Sequence, residues 1–155
     1  MNDYIKTMRK LIGKETLITV GCGAIIEDGL GRILLQKRTD YNHWGIPGGI
    51  LEIGETFEET VKREVQEETN LQLNKVELFG IYSGENGFAH YSNGDKVFSV
   101  QIIFKVTDFN GKLIANNESK DLAFLHKNEI PKSLNNHQAP FILDWVNGVS
   151  QPVIK

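Results

Sequence analysis

Between Thr56 and Asn70 the sequence specifies a helix that carries charge on the side where a helix should carry carbon. Thr56 and Glu59 form a capping box, in which each side chain accepts a hydrogen bond from the other residue's backbone N–H. The helical pattern runs to Thr69, and Asn70 ends it because asparagine tolerates the left-handed conformation of a C-terminal cap. On a wheel turning about 100° per residue from Phe57, Val61 falls near 40° and Val65 near 80°, which defines the inward stripe. Glu58, Lys62, Gln66 and Glu59 spread over roughly 100–200°, the solvent side. Glu64 and Glu68 land at about −20° and +20°, inside the apolar stripe or at its edge, and Glu67 flanks the same edge at about −80°.

Glutamate is almost never fully buried without a partner. Like charges at i,i+3 and i,i+4 cost an isolated helix roughly 0.2–0.5 kcal/mol each, and this face holds two such pairs, Glu64–Glu67 and Glu64–Glu68. A Glu-rich helix is ordinarily just a solvated one, but here the wheel turns the carboxylates inward and a Gly-rich segment precedes the helix. A divalent cation would offset the repulsion, because hard ions such as Mg²⁺ take oxygen ligands. Arg63 has Glu59 one turn before it and Glu67 one turn after, so it can orient a carboxylate.

The rest of the chain alternates strands and helices without strict βαβ order. Tyr4, Ile5, Met8 and Leu11 recur at helical spacing and Gly13 closes that helix. A β-type run, Leu17 to Ile26, passes through the turn Asp28-Gly29-Leu30-Gly31 into a second strand from Arg32 to Lys37, which reads as a hairpin. The stretch 39–54, with Trp44 and Pro47-Gly48-Gly49, reads as a structured loop. Strands are expected from Val76 to Tyr82 and from Val97 to Thr107. In the second, Phe98, Val100, Ile102, Phe104 and Val106 alternate with Ser99, Gln101 and Lys105, the mark of a half-buried strand. Asn110-Gly111 turns the chain. A short strand near Leu122–Leu125 follows, and a last helix from Pro140 to Val146 offers Ile142, Trp145 and Val146 to the core. The segment from Gly84 to Asp95 contains Phe88, His90 and Tyr91. It reads first as a surface loop with buried aromatics, and second as an element that stacks on or closes over a base. The expectation is a single α/β domain over residues 1–155, a mixed β-sheet sandwiched between helices.

Composition narrows the function classes. The 155 residues carry 17 basic and 20 acidic side chains, a formal net charge of −3, which argues against a dedicated nucleic-acid binder. Small anionic substrates stay open, because a bound cation reverses the local sign. The one cysteine, Cys22, excludes an internal disulfide and a multi-thiolate zinc site, and its apolar run GCGAII reads as buried and inert. No apolar stretch approaches the roughly 18 residues of a membrane span, and no signal-peptide core precedes the domain. A cytoplasmic location is the expectation.

From Gly49 the chain reads GILEIGETFEETVKREVQEETNL, which resembles the Nudix box: Gly, five residues, Glu, seven residues, Arg-Glu, an aliphatic, any residue, Glu-Glu, any residue, Gly and an aliphatic. The matching positions are Gly49, Glu55, Arg63, Glu64, Val65, Glu67, Glu68 and Leu71, with Asn70 where the family has Gly. Asn is the next best residue at a position needing positive φ, so the departure bears on the cap and not on the carboxylates. Trp44, Pro47, Gly48 and Gly49 supply the run that often precedes this box, and the flanking elements are consistent with a Nudix fold.

The resemblance implies hydrolysis of a nucleoside diphosphate linked to another moiety (a nucleotide sugar, a dinucleoside polyphosphate or an oxidised nucleotide), with Mg²⁺ or Mn²⁺ as cofactor. It implies Glu64 and Glu68 as main metal ligands, Glu67 as a further ligand or a water-positioning base, and the Gly48 carbonyl as a backbone ligand. Glu55 and Arg63 would be a supporting pair holding the loop against the helix. The general base in this family is a box glutamate or an acid in a later loop. Glu118 is the candidate outside the box, and an exposed loop acid beside Lys120 and Asp121 is its plain reading. Two substrate markers are missing: there is no proline between Pro47 and Pro131, and no tyrosine at the position near Gly87 to Ala89. A non-catalytic Nudix domain that binds a nucleotide as a regulator is the alternative, opposed by the intact glutamates. A diphosphate isomerase of this fold would need a catalytic cysteine, which Cys22 in a strand core does not offer. The expected partner is a small-molecule nucleotide, with no nucleic acid and no membrane; a homodimer is left open.

Overall fold

The computed structural model describes residues 3–40 and 42–155. The chain runs α1 (Asp3–Ile12), β1 (Leu17–Ile26), β2 (Ile33–Arg38), β3 (Trp44–Gly45), β4 (Gly48–Ile50), α2 (Phe57–Thr69), β5 (Gln72–Tyr82), β6 (Phe88–His90), β7 (Lys96–Asn110), β8 (Ser119–Leu125), α3 (Ala139–Val146) and β9 (Val153–Ile154), with short 3₁₀ turns at Glu85–Gly87 and Lys127–Glu129. This is the expected α/β architecture. A mixed sheet has the order β4-β1-β7-β5-β9, with β6 paired to β7, and a second sheet has the order β3-β2-β8. β1 runs parallel to β7 from Leu17↔Val97 to Ile26↔Val106.

The apolar run of β1 is explained by cover on both faces. Cys22, Ala24 and Ile26 join Val61 and Val65 of α2 and Ile102, Phe104 and Val106 of β7 in one core. Ile25 points the other way, with Ile103, Phe79, and Phe141, Ile142 and Trp145 of α3, into a second core. β2 bridges the two, sending Leu34 into the first and Ile33 and Leu35 into the second. β7 is therefore not the half-buried strand its alternation suggests, because Ile103 between Ile102 and Phe104 is itself fully buried.

Three further expectations change. The β1–β2 turn is present, with Asp28 Oδ1 accepting from the N–H groups of Leu30 and Arg32 at 3.0 Å, but the strands meet only at the bridge Glu27↔Ile33. β4 and β7 occupy both edges of β1, so β2 leaves for the other sheet. The 39–54 stretch is not all loop, since it gives one short strand to each sheet. The α1 stripe is mostly solvated: Ile5 is buried, while Leu11 is 75% exposed. Arg9 anchors this helix instead, donating to the carbonyls of Gly13, Glu15 and Lys96.

Asn70 adopts φ 66°, and its Nδ2 donates to the Lys112 carbonyl at 2.9 Å. Asn70→Ala should cost about 1–2 kcal/mol, combining a β-carbon in the left-handed region with one lost hydrogen bond, whereas Asn70→Gly should stay within about 0.5 kcal/mol of wild type. Urea unfolding of the two variants measures this, and an alanine variant as stable as wild type would show that the cap conformation is unimportant.

Candidate active site

α2 packs against β1, β4 and β5, so the residues on its inward edge meet the Gly-rich strand β4. The capping box is present in both directions, Glu59 N–H to Thr56 Oγ1 at 3.1 Å and Thr56 N–H to Glu59 Oε2 at 2.7 Å. Glu59 is thereby engaged at the helix start. Phe57, the wheel's origin, is 45% exposed, while Val61 and Val65 are fully buried, so the buried stripe begins one turn later than the wheel assumed.

Arg63 organises the carboxylates. Its Nε donates to Glu55 Oε1 at 2.6 Å and its Nη2 to Glu55 Oε2 at 3.0 Å, a bidentate fork. Nη1 donates to Glu64 Oε1 at 2.8 Å and lies 3.6 Å from Glu67 Oε2. Nη2 also reaches the Ile50 carbonyl at 3.3 Å, which ties the guanidinium to the loop after β4. Glu55 accepts further from Thr60 Oγ1 at 2.7 Å and from the Glu52 N–H at 3.1 Å. Chiefly through Arg63, the Glu55 carboxyl is held down to about 2.

Glu68 is the most buried acid of the set, 3% exposed. Its Oε2 accepts from Gln36 Nε2 at 3.0 Å and from the Gly48 N–H at 3.1 Å. Burial, reinforced by the neighbouring Glu64, pushes its carboxyl up to about 8. Glu64 is also raised, first by burial and against the pull of Arg63, with Glu67 and Glu118 adding to the rise. Gly49 lacks a side chain for a steric reason: a β-carbon there would sit in the Glu64 carboxylate. Glu67 is more open, its side chain 59% exposed.

Glu118 immediately precedes β8 and lines the same cleft as Glu64, Glu67 and Glu68. Its loop is tied to the end of α2, where Asn116 Nδ2 donates to the Glu67 carbonyl at 3.2 Å and the Ile114 N–H donates to the Thr69 carbonyl. Three contributors escaped the sequence reading. Gln36 is buried beneath Glu68, Asn116 holds the Glu118 loop, and Arg38 lines the cleft close enough to lower the Glu68 carboxyl. A polar residue within the apolar strand ILLQKR was the available signal for Gln36.

The donor set fits a hard divalent cation. Two inward carboxylates share one edge of α2, one of them is buried with its charged form disfavoured, and a third stands beside them. Among the described residues, no three acidic, histidine or cysteine side chains converge as a finished ligand cage, since Arg63 draws on Glu64 and Glu67 while Gln36 and Gly48 hold Glu68. Gly48 engages the site through its N–H on Glu68. Cys22 is 1% exposed and burial pushes its thiol up to about 12, so it is no nucleophile.

The cleft has a volume of about 790 Å³, enough for a nucleotide. It extends from the glutamates across Gly21 and Gly23 of β1 to Ser99 and Gln101 of β7 and the loop before α3. The 84–95 segment is a 3₁₀ turn plus the β6–β7 hairpin rather than a loop with buried aromatics. Phe88 is 50% and Tyr91 38% exposed, and of the pair only Tyr91 faces the cleft. Among the described residues no helix is long and apolar enough to cross a membrane.

Comparison with known proteins agrees with this architecture. Residues 17–145 match the NUDIX domain family model. The chain is 32% identical over 134 residues to an ADP-ribose pyrophosphatase of Methanocaldococcus jannaschii, covering 81% of this chain and 76% of that protein. It is 30% identical over 120 residues to the nucleoside triphosphatase NudI of Escherichia coli, covering 72% and 84%. The crystal structure of MutT NUDIX hydrolase from Burkholderia pseudomallei superposes with a TM-score of 0.70 at 26% identity, over 86% of this chain and 99% of that one.

The raised Glu68 carboxyl generates a pH prediction. A group whose folded pKa exceeds its unfolded value binds protons more readily when folded, so its stabilisation is full below about 4.5 and is lost as pH rises through about 8. Glu68→Gln mimics the protonated form and can still accept from Gly48. In EDTA the variant should melt with wild type near pH 4, draw ahead of it as the pH rises from about 4.5, and stand several degrees above it by about pH 8. A variant that melts below wild type at every pH would make Glu68 a structural anchor.

Proposed function

The chain belongs to the Nudix hydrolase family, enzymes that act on diphosphate bonds, and we propose that this member is a Mg²⁺- or Mn²⁺-dependent pyrophosphohydrolase of a nucleoside diphosphate derivative. The observation that carries the reading is the pair of inward carboxylates on α2, Glu64 gripped by Arg63 and Glu68 buried over Gly48, opening on a cleft of nucleotide size. The relatives named as an ADP-ribose pyrophosphatase and a nucleoside triphosphatase support a nucleotide carrying two or more phosphates.

Glu64, Glu68 and Glu67 would hold the cation, with the Gly48 carbonyl as a backbone ligand. When bound, the ion screens the anionic diphosphate and lowers the pKa of a water. Arg63 orients Glu64 and Glu67, and Glu55 fixes Arg63, so the carboxylates keep their spacing without a cage of their own. Arg38, gripped bidentately by Asp40 at 3.0 Å through both Nε and Nη2, holds its guanidinium beside Glu68 on the cleft wall. Glu118, on the loop tied to the C-terminal end of α2, serves as the general base. Its loop is pinned by Thr39, which donates to the Glu118 carbonyl through its N–H at 2.9 Å and its hydroxyl at 3.1 Å, leaving the carboxylate on an anchored backbone.

A screen of nucleotide sugars, dinucleoside polyphosphates and oxidised nucleoside triphosphates should find Mg²⁺- or Mn²⁺-dependent turnover of at least one, abolished by EDTA. Release of monophosphate or of pyrophosphate identifies the bond cut. Tight binding of one nucleotide with no turnover across the panel would point to a regulatory module instead.

Glu118→Gln should lower kcat on the order of 10²-fold with little change in the metal concentration giving half-maximal rate. Near-normal kcat in that variant would move the base to Glu67 or Glu68. Excess Mg²⁺ should also raise the melting temperature of the wild type by mass action, and by less in Glu68→Gln.

A further inference from the structure

The helix α1 precedes residues 17–145, the span that matches the NUDIX domain model, yet it reaches the cleft. Ile5 and Arg9 line the end away from the glutamates, together with Tyr91, Asn93 and Asp95 of the β6–β7 hairpin. The apolar cores do not hold this helix. Its one buried side chain, Ile5, is part of neither cluster. What holds it is polar. Arg9 Nη1 donates to the Gly13 carbonyl at 3.1 Å and the Glu15 carbonyl at 2.8 Å, and Nη2 donates to the Lys96 carbonyl at 2.7 Å. One guanidinium thus ties the end of α1, the segment leading into β1 and the first residue of β7.

Asp95 completes the junction from the hairpin. Its Oδ1 accepts from Lys14 Nζ at 2.8 Å, and its Oδ2 accepts from Asn93 Nδ2 at 3.2 Å and lies 3.6 Å from Arg9 Nε. The hairpin tip closes on itself: the Tyr91 N–H donates to the Asp95 carbonyl and the Gly94 N–H to the Tyr91 carbonyl, both at 2.9 Å. The side chains of Arg9 and Asp95 are only 13% and 14% exposed. Both charges of this wall are therefore spent on each other and on the backbone. A phosphate placed here would meet a guanidinium already engaged, beside a carboxylate that repels it. An uncharged group meets no such penalty, and the neighbouring floor positions, Thr19 and Ser99, are neutral and in register with one another. Along β1 that floor runs from Gly23, opposite the Gly48 that binds Glu68, to Thr19. Those four residues span about 13 Å of strand, more than a diphosphate held at the glutamates covers.

We propose that α1 and the β6–β7 hairpin house the uncharged group, nucleoside or sugar, that the diphosphate carries, and that Arg9 is the positioning residue of this wall. It acts through the backbone carbonyls it joins, not by contact with phosphate. This rests on the nucleotide-hydrolase reading above and extends the binding site to a helix that precedes the matched domain.

The test compares the full wild-type chain with Arg9→Met, Arg9→Lys and Lys14→Met on the best nucleotide found in the substrate screen. Methionine keeps the stem and loses the fork, and lysine keeps the charge and loses the fork. Lys14 is 60% exposed and does not line the cleft, so its loss reaches the substrate only through Asp95 and the hairpin. Both Arg9 variants should raise KM about 10-fold or more, with kcat and the metal concentration for half-maximal rate within about threefold, and Lys14→Met should raise KM about threefold. Should the Arg9 variants melt far below wild type, Lys14→Met carries the comparison. Methylenediphosphonate, an inhibitor with the diphosphate skeleton and no further group, should keep its wild-type inhibition constant in every variant. AMP and ribose 5-phosphate as inhibitors identify the group housed at this wall, a rise for AMP alone marking the nucleoside and a rise for ribose 5-phosphate marking the sugar. Turnover with wild-type KM in the variants, or a methylenediphosphonate constant that rises as much as KM, overturns this inference and leaves the hydrolase reading standing. No turnover by wild type, with calorimetric binding of AMP or ribose 5-phosphate that Arg9→Met weakens, overturns the hydrolase reading and sustains this one.

Discussion

The site is built around one guanidinium. Arg63 holds Glu55 with two of its nitrogens and Glu64 with the third, and thereby links the loop after β4 to the second turn of α2. A bidentate Arg–carboxylate pair is both strong and directional, so it fixes angle as well as distance. Arg63 Nη1 lies 2.8 Å from Glu64 Oε1 and 3.6 Å from Glu67 Oε2, and so counters the repulsion between those two carboxylates. The side chains of Arg63 and Glu55 are 27% and 19% exposed, so water screens them only partly. Lysine would keep the charge but lose the fork, which is the feature that engages two carboxylates at once.

The second constraint is the close approach of backbone to carboxylate. β4 is only three residues long, yet it supplies an N–H to Glu68 and the bare Cα of Gly49 to Glu64, while its register Gly21↔Ile50, Cys22↔Gly49 and Gly23↔Gly48 sets it against β1. β1 can serve as floor because β7 pairs with it over its full length and both of its faces are covered. One strand therefore joins the hydrophobic cores to the cleft. Cys22 and Ala24 pack beneath α2, while Gly21 and Gly23 line the cavity on the opposite face.

Much of this was legible in the sequence because the signals were local. The span of β1, the capping box of α2 and the αL cap at Asn70 follow from residue chemistry within a few positions, and the wheel angles of Glu64 and Glu68 follow from helix geometry alone. The failures share a physical cause, which is that partner strands are not written locally. Nothing within 17–38 says that β1 will have both edges occupied and send β2 to another sheet. The alternation of β7 reads as a solvated face because the sequence does not show that α3 and a cleft lie over it. Gln36 and Asn116 act on α2 from more than thirty and more than forty positions away, and no periodicity links them to it. The amphipathic spacing of α1 marked a helix correctly but not its anchor, because Arg9 works through backbone carbonyls.

Under the proposed function the acid cluster would also explain how a chain of net charge −3 serves an anionic substrate. Glu68 is buried enough that the proton competes with any cation for it, its carboxyl standing at about 8. A cation that binds there must displace that proton, so the bound ion and the proton are alternative ways of neutralising one buried group. With the proton in place the acid end of the cleft is less negative than its glutamates suggest. With a divalent ion in place it carries more positive charge than the displaced proton gave, beside Arg38 and Arg63. Either state relieves the helix of a buried anion. Only the second would present the cleft with the sign that a diphosphate needs, so under the proposed function the sequence's most awkward feature would also couple cation binding to substrate affinity.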